Sequence, residues 1–278
     1  MGISICYGIL PIVKGQKPTA SFRSSGIFII LLCFEEMIQV LAKEFNTFLN
    51  SLIAYVVIGV FLTGIGLLMW VFPETSVLDY GYADMETLFS VGPYVFIFLI
   101  PAITMRSFAE EAKAGTMELL LTKPLSDWDI ILGKFFACFF LVIISLAPTL
   151  IYYFSVYALG NPVGNIDTPG VIGSYTGLVL LGAVFCAIGI FSSSITPNQI
   201  VSFILAAFLC YILFSGFESL ALLNVWSENA LFIKQLGLLN HYEALSKGLI
   251  DSRDLVYFGS VIALMLLFTR IILGVRSW

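Results

Sequence analysis

The sequence predicts an all-α, polytopic membrane protein with six transmembrane helices and an amphipathic interfacial helix before them. Of its 278 residues, 59% are hydrophobic and 11% are charged, and the mean hydropathy is +1.01. Soluble domains are about half apolar and about one quarter charged, so this chain lacks the charge of a soluble surface. Several apolar stretches also reach the roughly 20 residues that cross a bilayer as a helix. A soluble enzyme is therefore excluded.

The first 36 residues do not fit this pattern. The apolar stretch 27–34 is too short to span a bilayer, and two glutamates follow it where a signal peptide would have small residues. Regular patterning begins at Met37. We therefore expect a non-conforming N-terminal extension, residues 1–36, and a membrane domain, residues 37–278, with Met37 rather than Met1 as the candidate natural start.

An amphipathic helix is predicted over residues 37–48. Its apolar side chains recur at spacings of three and four, which places them on one helical face opposite the polar ones. We favour a helix that lies in the plane of the lipid headgroups; the alternative is an extension of the first span into the cytoplasm. The residues on which this interpretation depends are Ile38, Leu41, Lys43, Phe45 and Phe48.

Six apolar stretches of near-spanning length follow. They cover residues 50–72, 88–106, 130–158, 171–195, 198–217 and 255–274.

Proline and glycine mark features within these spans. Pro148 is a candidate kink because proline has no N–H for the helix ladder. Pro197, between the fourth and fifth spans, predicts a tight hairpin. Small residues permit close helix contacts in membranes, although they also occur there without any special role. The glycines considered are Gly59, Gly64 and Gly66 in the first span and Gly177, Gly182 and Gly189 in the fourth.

Basic residues in short loops predict the orientation. Lysines and arginines concentrate before the first span, between spans two and three, and at the end of the chain. The loop after the first span is acidic instead. With an even number of spans, both termini are expected in the cytoplasm. The basic residues concerned are Lys43, Arg106, Lys113, Lys123, Lys134, Arg270 and Arg276.

Motifs for catalysis and nucleotide binding are missing. No GxxxxGK[ST] phosphate loop occurs, and Gly133-Lys134 lacks both the upstream glycine and the following hydroxyl. The single histidine, His241, and the five cysteines have neither metal-ligand spacing nor a GxSxG elbow beside them. We expect no enzymatic activity and no cofactor bound by this chain.

The most informative polar segment is 106–134, RSFAEEAKAGTMELLLTKPLSDWDIILGK. Its middle predicts a short helix that ends at Gly115, followed by a second apolar turn before Pro124. Three adjacent leucines outside a membrane favour burial against the bilayer or in a groove of a partner protein. The alternative is an ordinary solvated loop.

This segment resembles the permease subunits of ABC transporters of the ABC-2 type. The shared order is EE, GT, ELLL, a proline, and GK at the entry to span three. Similarity to the family extends over residues 37–278, and the start MIQVLAKEFNTFLNS and the core 108–153 most resemble the gliding-motility-associated ABC transporter permease. Permeases for copper-site maturation or antibiotic export share the general pattern.

The resemblance implies a multi-pass protein of the bacterial inner (cytoplasmic) membrane, paired with a second permease subunit as a homodimer or heterodimer. A separate ABC ATP-binding subunit would hold ATP and Mg²⁺ and power transport. A periplasmic or auxiliary membrane subunit is a further candidate partner, and nucleic acid is not expected. The alternative function is a membrane scaffold that transmits ATPase movement to a periplasmic partner without moving cargo.

The resemblance also assigns the candidate site. Residues 110–121 would form a coupling element that docks on the ATPase, with the leucines in a groove and the glutamates facing basic residues. Its members are Glu110, Glu111, Gly115, Thr116, Glu118, Leu119, Leu120 and Leu121. The sequence names no substrate-binding residue.

Overall fold

The computed structural model describes residues 25–117, 126–221, 230–248 and 251–276. Throughout these ranges the regular structure is helical and contains no β-strand, which confirms the predicted all-α class. The helices are α1 (Ser25–Leu49), α2 (Leu52–Trp70), α3 (Val77–Tyr80), α4 (Glu86–Thr104), α5 (Ala109–Lys113), α6 (Asp127–Leu146), α7 (Leu150–Leu159), α8 (Thr168–Ile195), α9 (Gln199–Tyr211), α10 (Phe217–Ala221), α11 (Ala230–Gln235), α12 (Leu238–Ser246) and α13 (Ser252–Arg276).

Five continuous helical stretches are long and apolar enough to cross a membrane, within the described part of the chain. A sixth is obtained if the bent pair Met37–Leu49 and Ala54–Trp70 counts as one span. The structure therefore supports five or six spans, and the prediction was six. The five are Glu86–Lys113, Asp127–Leu159, Thr168–Ile195, Gln199–Ala221 and Ser252–Val275.

The predicted amphipathic helix is the second half of α1, and it bends by 68° from α2. The bend makes it a separate element rather than a straight continuation of the first span. The face that packs on the protein includes the predicted Phe48, but it also includes Glu44, whereas Ile38 is 43% exposed. The face is rotated because α1 packs along α6, and Glu44 meets a buried cation there. The role of this helix at a membrane interface stays a prediction.

The structure shows a local irregularity at the predicted kink site and confirms the predicted hairpin. At Pro148 the α-helix gives way to a 3₁₀ turn, Ala147–Thr149, as expected where proline removes an N–H donor. The hairpin between α8 and α9 is tight, although Asn198 rather than Pro197 is the cap: its side chain accepts a hydrogen bond from the Ile200 N–H at 3.0 Å.

Helix α8 is the centre of the bundle, in contact with α4, α6, α9, α12 and α13. Its glycines allow these close approaches, which is one of the two interpretations that the sequence left open. A Cβ at Gly189 would collide with Thr104, and one at Gly182 would lie 2.9 Å from Val142 Cγ1. By contrast, a Cβ at Gly64 of α2 would meet nothing within 4 Å.

The chain between α9 and α13 folds back onto the bundle. A π-helical turn, Ile212–Gly216, leads into α10, and α12 packs on the beginning of α8. The buried Tyr242 donates a hydrogen bond to the Phe89 carbonyl at 2.7 Å. Burial raises the pKa of the Tyr242 phenol, so the group stays protonated as a donor. His241 Nδ1 lies 2.6 Å from Asp254 Oδ1, which ties α12 to α13.

Candidate functional site

The predicted short helix is present as α5, and its ends are fixed by specific contacts. At its start, the backbone N–H groups of Phe108 and Ala109 donate to Ser193 Oγ on α8, at 2.9 and 3.0 Å. At its end, Gly115 has a φ of +69°, a conformation that glycine adopts without strain. The following Thr116 N–H then donates to the Glu111 carbonyl at 3.0 Å. Helix α5 is therefore attached to α8 rather than free in solvent.

Lys134 joins three separate parts of the chain. Its Nζ lies 3.0 Å from Glu44 Oε1 on α1 and 3.0 Å from Glu111 Oε1 on α5, and it donates to the Ser107 carbonyl at 2.6 Å. The Lys134 side chain is only 1% exposed. We call Lys43, Glu44, Glu111 and Lys134 the Lys134 cluster.

The ammonium group of Lys134 is surrounded by oxygens that balance its charge. It donates hydrogen bonds to Glu44 Oε1 and to the Ser107 carbonyl, and it forms an ion pair with Glu111 Oε1. The face of the Phe108 ring, 5.0 Å from Nζ, adds a cation–π contact. Lys43 lies 3.7 Å from Glu44 and 3.8 Å from Glu111, so two lysines face two carboxylates and the cluster is neutral. Pairing of this kind is what permits a buried charge.

Gly133 explains how α1 comes close enough to form the cluster. A Cβ at this position would lie 2.8 Å from Val40 Cγ1 and 3.2 Å from the Met37 carbonyl oxygen. Only glycine therefore lets α1 pack against this turn of α6 without displacement. The GK dipeptide thus combines a close helix contact with a buried cation one residue later.

A second ion pair lies on the solvent side of α5. Arg106 Nε is 3.1 Å from Glu110 Oε2, and the Arg106 guanidinium also donates to Ser51 Oγ at 2.8 Å. Ser51 is the N-cap residue of α2, so this pair connects α5 to the first span. The Glu110 side chain remains 51% exposed.

The structure separates the predicted coupling residues into two groups. Glu110, Gly115 and Thr116 are exposed, as a docking surface requires. Glu111 instead has an internal partner: its side chain is 16% exposed and bonds to Lys134, so it does not offer a free charge. The coupling role itself stays a prediction. Glu118, Leu119, Leu120 and Leu121 lie outside the described residues.

Two residues of this site were not identified from sequence. The sequence placed Lys134 at the entry to span three, but α6 begins at Asp127, so Lys134 lies about two turns inside it. The Ser126–Asp129 capping box, which fixes this start, is visible in the sequence as S-x-x-D. A lysine two turns into an apolar helix needs a counter-ion, and that signal could have indicated a buried carboxylate partner without saying which one. Ser193 carried no comparable signal among the serines of α8.

We expect Ser193→Ala to reduce the free energy of unfolding by about 2 kcal/mol, because two buried N–H groups lose their acceptor. The measurement is an unfolding titration of the purified chain in mixed detergent micelles. Ser194→Ala is the matched control, since Ser194 Oγ donates only to the Phe191 carbonyl of its own helix within the described structure. An equal loss in both variants would contradict the capping role of Ser193.

Comparison with known proteins agrees with this architecture. The chain matches the family described as "ABC-2 family transporter protein" over residues 38–275. It is 25% identical over 174 residues to the "Probable multidrug ABC transporter permease YbhR" of Escherichia coli K12, and equally to that of E. coli O157:H7. The match covers 61% of this chain and 44% of each relative, so the chain aligns with less than half of their length. The family match over residues 38–275 contains all four members of the Lys134 cluster, and the chain belongs to the ABC-2 transporter family.

Proposed function

We propose that this chain is the transmembrane subunit of an ABC transporter and that a separate ATP-binding subunit drives it. The observation that carries the proposal is the Lys134 cluster. It ties α5, which carries the exposed Glu110, to both α1 and α6 through one buried cation. A push on α5 therefore reaches a spanning helix directly, which is what a coupling element requires.

The proposed contact with the ATP-binding subunit is made by α5 and by the chain segment that connects α5 to α6. Leu119, Leu120 and Leu121 supply apolar side chains for a groove on the partner, and Glu110 supplies an exposed carboxylate for a basic residue there. Glu111 acts inside the chain, as the link that transmits the displacement to Lys134. ATP and Mg²⁺ belong to the partner.

We further propose two permease subunits per transporter, either as a homodimer or as a heterodimer. Both termini face the cytoplasm of a bacterial inner membrane, because the basic loops lie on the side of α5. A role in gliding motility is supported by the resemblance of the MIQVLAKEFNTFLNS start and the 108–153 core. The multidrug name of the E. coli relatives favours export instead.

The decisive experiment replaces the three leucines together with serine, as Leu119→Ser, Leu120→Ser and Leu121→Ser. The tagged full-length chain is then purified from its native membrane in mild detergent, and co-purifying P-loop ATPase is quantified. We expect near-equal amounts of ATPase with the original chain and at least a tenfold loss with the variant. Membrane insertion should be unchanged. Leu236→Ser, an exposed leucine at the other end of the molecule, is the matched control.

Retention of the ATPase by the triple variant would contradict docking through these leucines. The other co-purifying proteins distinguish gliding machinery from an export system. If the ATPase is present but the reconstituted complex moves no lipid, peptide or drug, the scaffold function replaces transport. A periplasmic or auxiliary subunit in stoichiometric amount would then be the expected partner.

A further inference from the structure

A cavity of about 640 Å³ lies at the end of the molecule opposite the Lys134 cluster. The cavity is formed by the beginnings of α4 and α8 and by α12, whereas the cluster lies near the ends of α4 and α8. Small-molecule sites usually measure about 300–1,000 Å³. The space therefore suits one drug-sized ligand.

Aromatic side chains form a fixed wall of this cavity. The rings of Tyr94 and Phe214 meet edge to face at a centroid distance of 5.5 Å, and Phe214 and Tyr242 do so at 6.3 Å. The hydrogen bond from Tyr242 to the Phe89 carbonyl holds the wall to α4. Edge-to-face packing of this kind fixes ring orientation before a ligand arrives. Of these three rings, Phe214 and Tyr242 are buried and support Tyr94, which is 44% exposed. An exposed electron-rich ring attracts cations.

The charge of the cavity is strongly negative. Glu218 is paired with Lys234 at 3.2 Å. Within the described residues, the carboxylates of Glu86 and Glu243 have neither an ion-pair nor a hydrogen-bond partner. A concave surface with this excess of one charge concentrates ligands of the opposite sign. The charged lining residues are Asp84, Glu86, Asp167, Glu218, Glu243 and Lys247.

The arrangement of these carboxylates argues against a metal ion as the ligand. Within the described ranges, no three His, Cys, Asp or Glu side chains lie close enough together to hold a metal. A divalent cation needs several oxygens converging at about 2–2.6 Å. Separated carboxylates beside aromatic side chains instead match an organic cation whose charged atom is surrounded by alkyl or aryl groups. We propose that this cavity binds an organic cation, of the quaternary ammonium or phosphonium class.

The test uses the full-length chain in lipid nanodiscs, without nucleotide and without the ATP-binding subunit. Binding of tetraphenylphosphonium is measured by isothermal titration calorimetry, with empty nanodiscs subtracted. Tetraphenylborate, which has the same shape and the opposite charge, is the matched ligand control. We expect saturable one-to-one binding of the cation and none of the anion. The result is independent of whether an ATPase drives transport.

Variants then locate the site. Glu243→Gln is expected to weaken tetraphenylphosphonium binding at least tenfold, because an unpaired carboxylate is lost from the cavity. Tyr94→Leu is expected to weaken it several-fold through loss of the ring. Asp79→Asn is the control: it removes the same charge from the same end of the molecule, at an exposed residue outside the cavity. We expect it to change binding less than twofold.

Three outcomes would overturn the proposal. They are equal binding of tetraphenylborate, an equal loss in Asp79→Asn and Glu243→Gln, and no saturable signal above empty nanodiscs. The second would show a general surface potential in place of a site. None of these outcomes bears on ATPase recruitment, so the two proposals fail separately.

Discussion

Replacement of Lys134 by methionine is expected to lower the free energy of unfolding by about 3–5 kcal/mol. The change leaves the carboxylates of Glu44 and Glu111 near each other with their main partner gone, at 11% and 16% exposure. Removing one member of a buried ion pair strands the other charge in a poorly polar environment. The measurement is an unfolding titration in mixed micelles, supported by monodispersity on size-exclusion chromatography.

Two controls separate this effect from a general loss of charge. Lys43→Met is the same substitution beside the same two carboxylates, but Lys43 is 62% exposed, so we expect a loss below about 1 kcal/mol. The triple change Lys134→Met, Glu44→Gln and Glu111→Gln removes the stranded charges and should recover most of the stability. Equal losses in Lys43→Met and Lys134→Met would refute the structural role of the cluster.

The second large effect is expected at Gly189, where α8 crosses the end of α4. Gly189→Ala places a methyl group against the Cβ and Oγ1 of the buried Thr104. The two backbones must separate, at an expected cost of about 2–3 kcal/mol, although alanine is the better helix former. Thermal unfolding in detergent provides the measurement. Adding Thr104→Gly to the Gly189→Ala variant should restore stability, because it removes the side chain that collides with the new methyl group.

Gly64→Ala provides the matched control for this change. It is the same substitution in a spanning helix, but nothing lies within 4 Å of the added methyl group. Without a collision, only the backbone preference remains, so we expect no loss or a gain of up to about 1 kcal/mol. Opposite signs at the two glycines would confirm close packing at Gly189. A similar effect at both would leave helix preference as the sole explanation.

Sequence patterns predicted the elements of this fold better than their contacts. Long apolar stretches predict spanning helices without knowledge of their neighbours in the fold, because the thickness of the bilayer sets the length of a span. The rotation of α1 about its own axis was harder to predict from sequence. Periodicity pointed to an apolar face containing Ile38, but Glu44 turns inward because Lys134 of α6 lies there. Which face of α1 packs inward is therefore decided by a partner that is remote in sequence.

The candidate site shows the same division. The short helix before Gly115 follows from local helix formers and a glycine stop, and α5 is present as expected. The internal role of Glu111 depends on Lys134 and could not be derived from the 106–117 segment alone. Likewise, the cavity opposite the Lys134 cluster combines residues from α4, α8 and α12, which no local pattern brings together.

The enclosure of α8 restricts which parts of the molecule can move. Its most apolar window is 78% buried by protein, whereas the corresponding windows of Gln199–Ala221 and Ser252–Val275 are 22% buried. A helix surrounded by close-packed neighbours cannot rotate unless all of them repack. Helices with few neighbours within the chain meet less of this obstacle. Helix α8 is therefore expected to keep its place in the bundle, so that any rearrangement within the bundle falls first to the less enclosed helices α9 and α13.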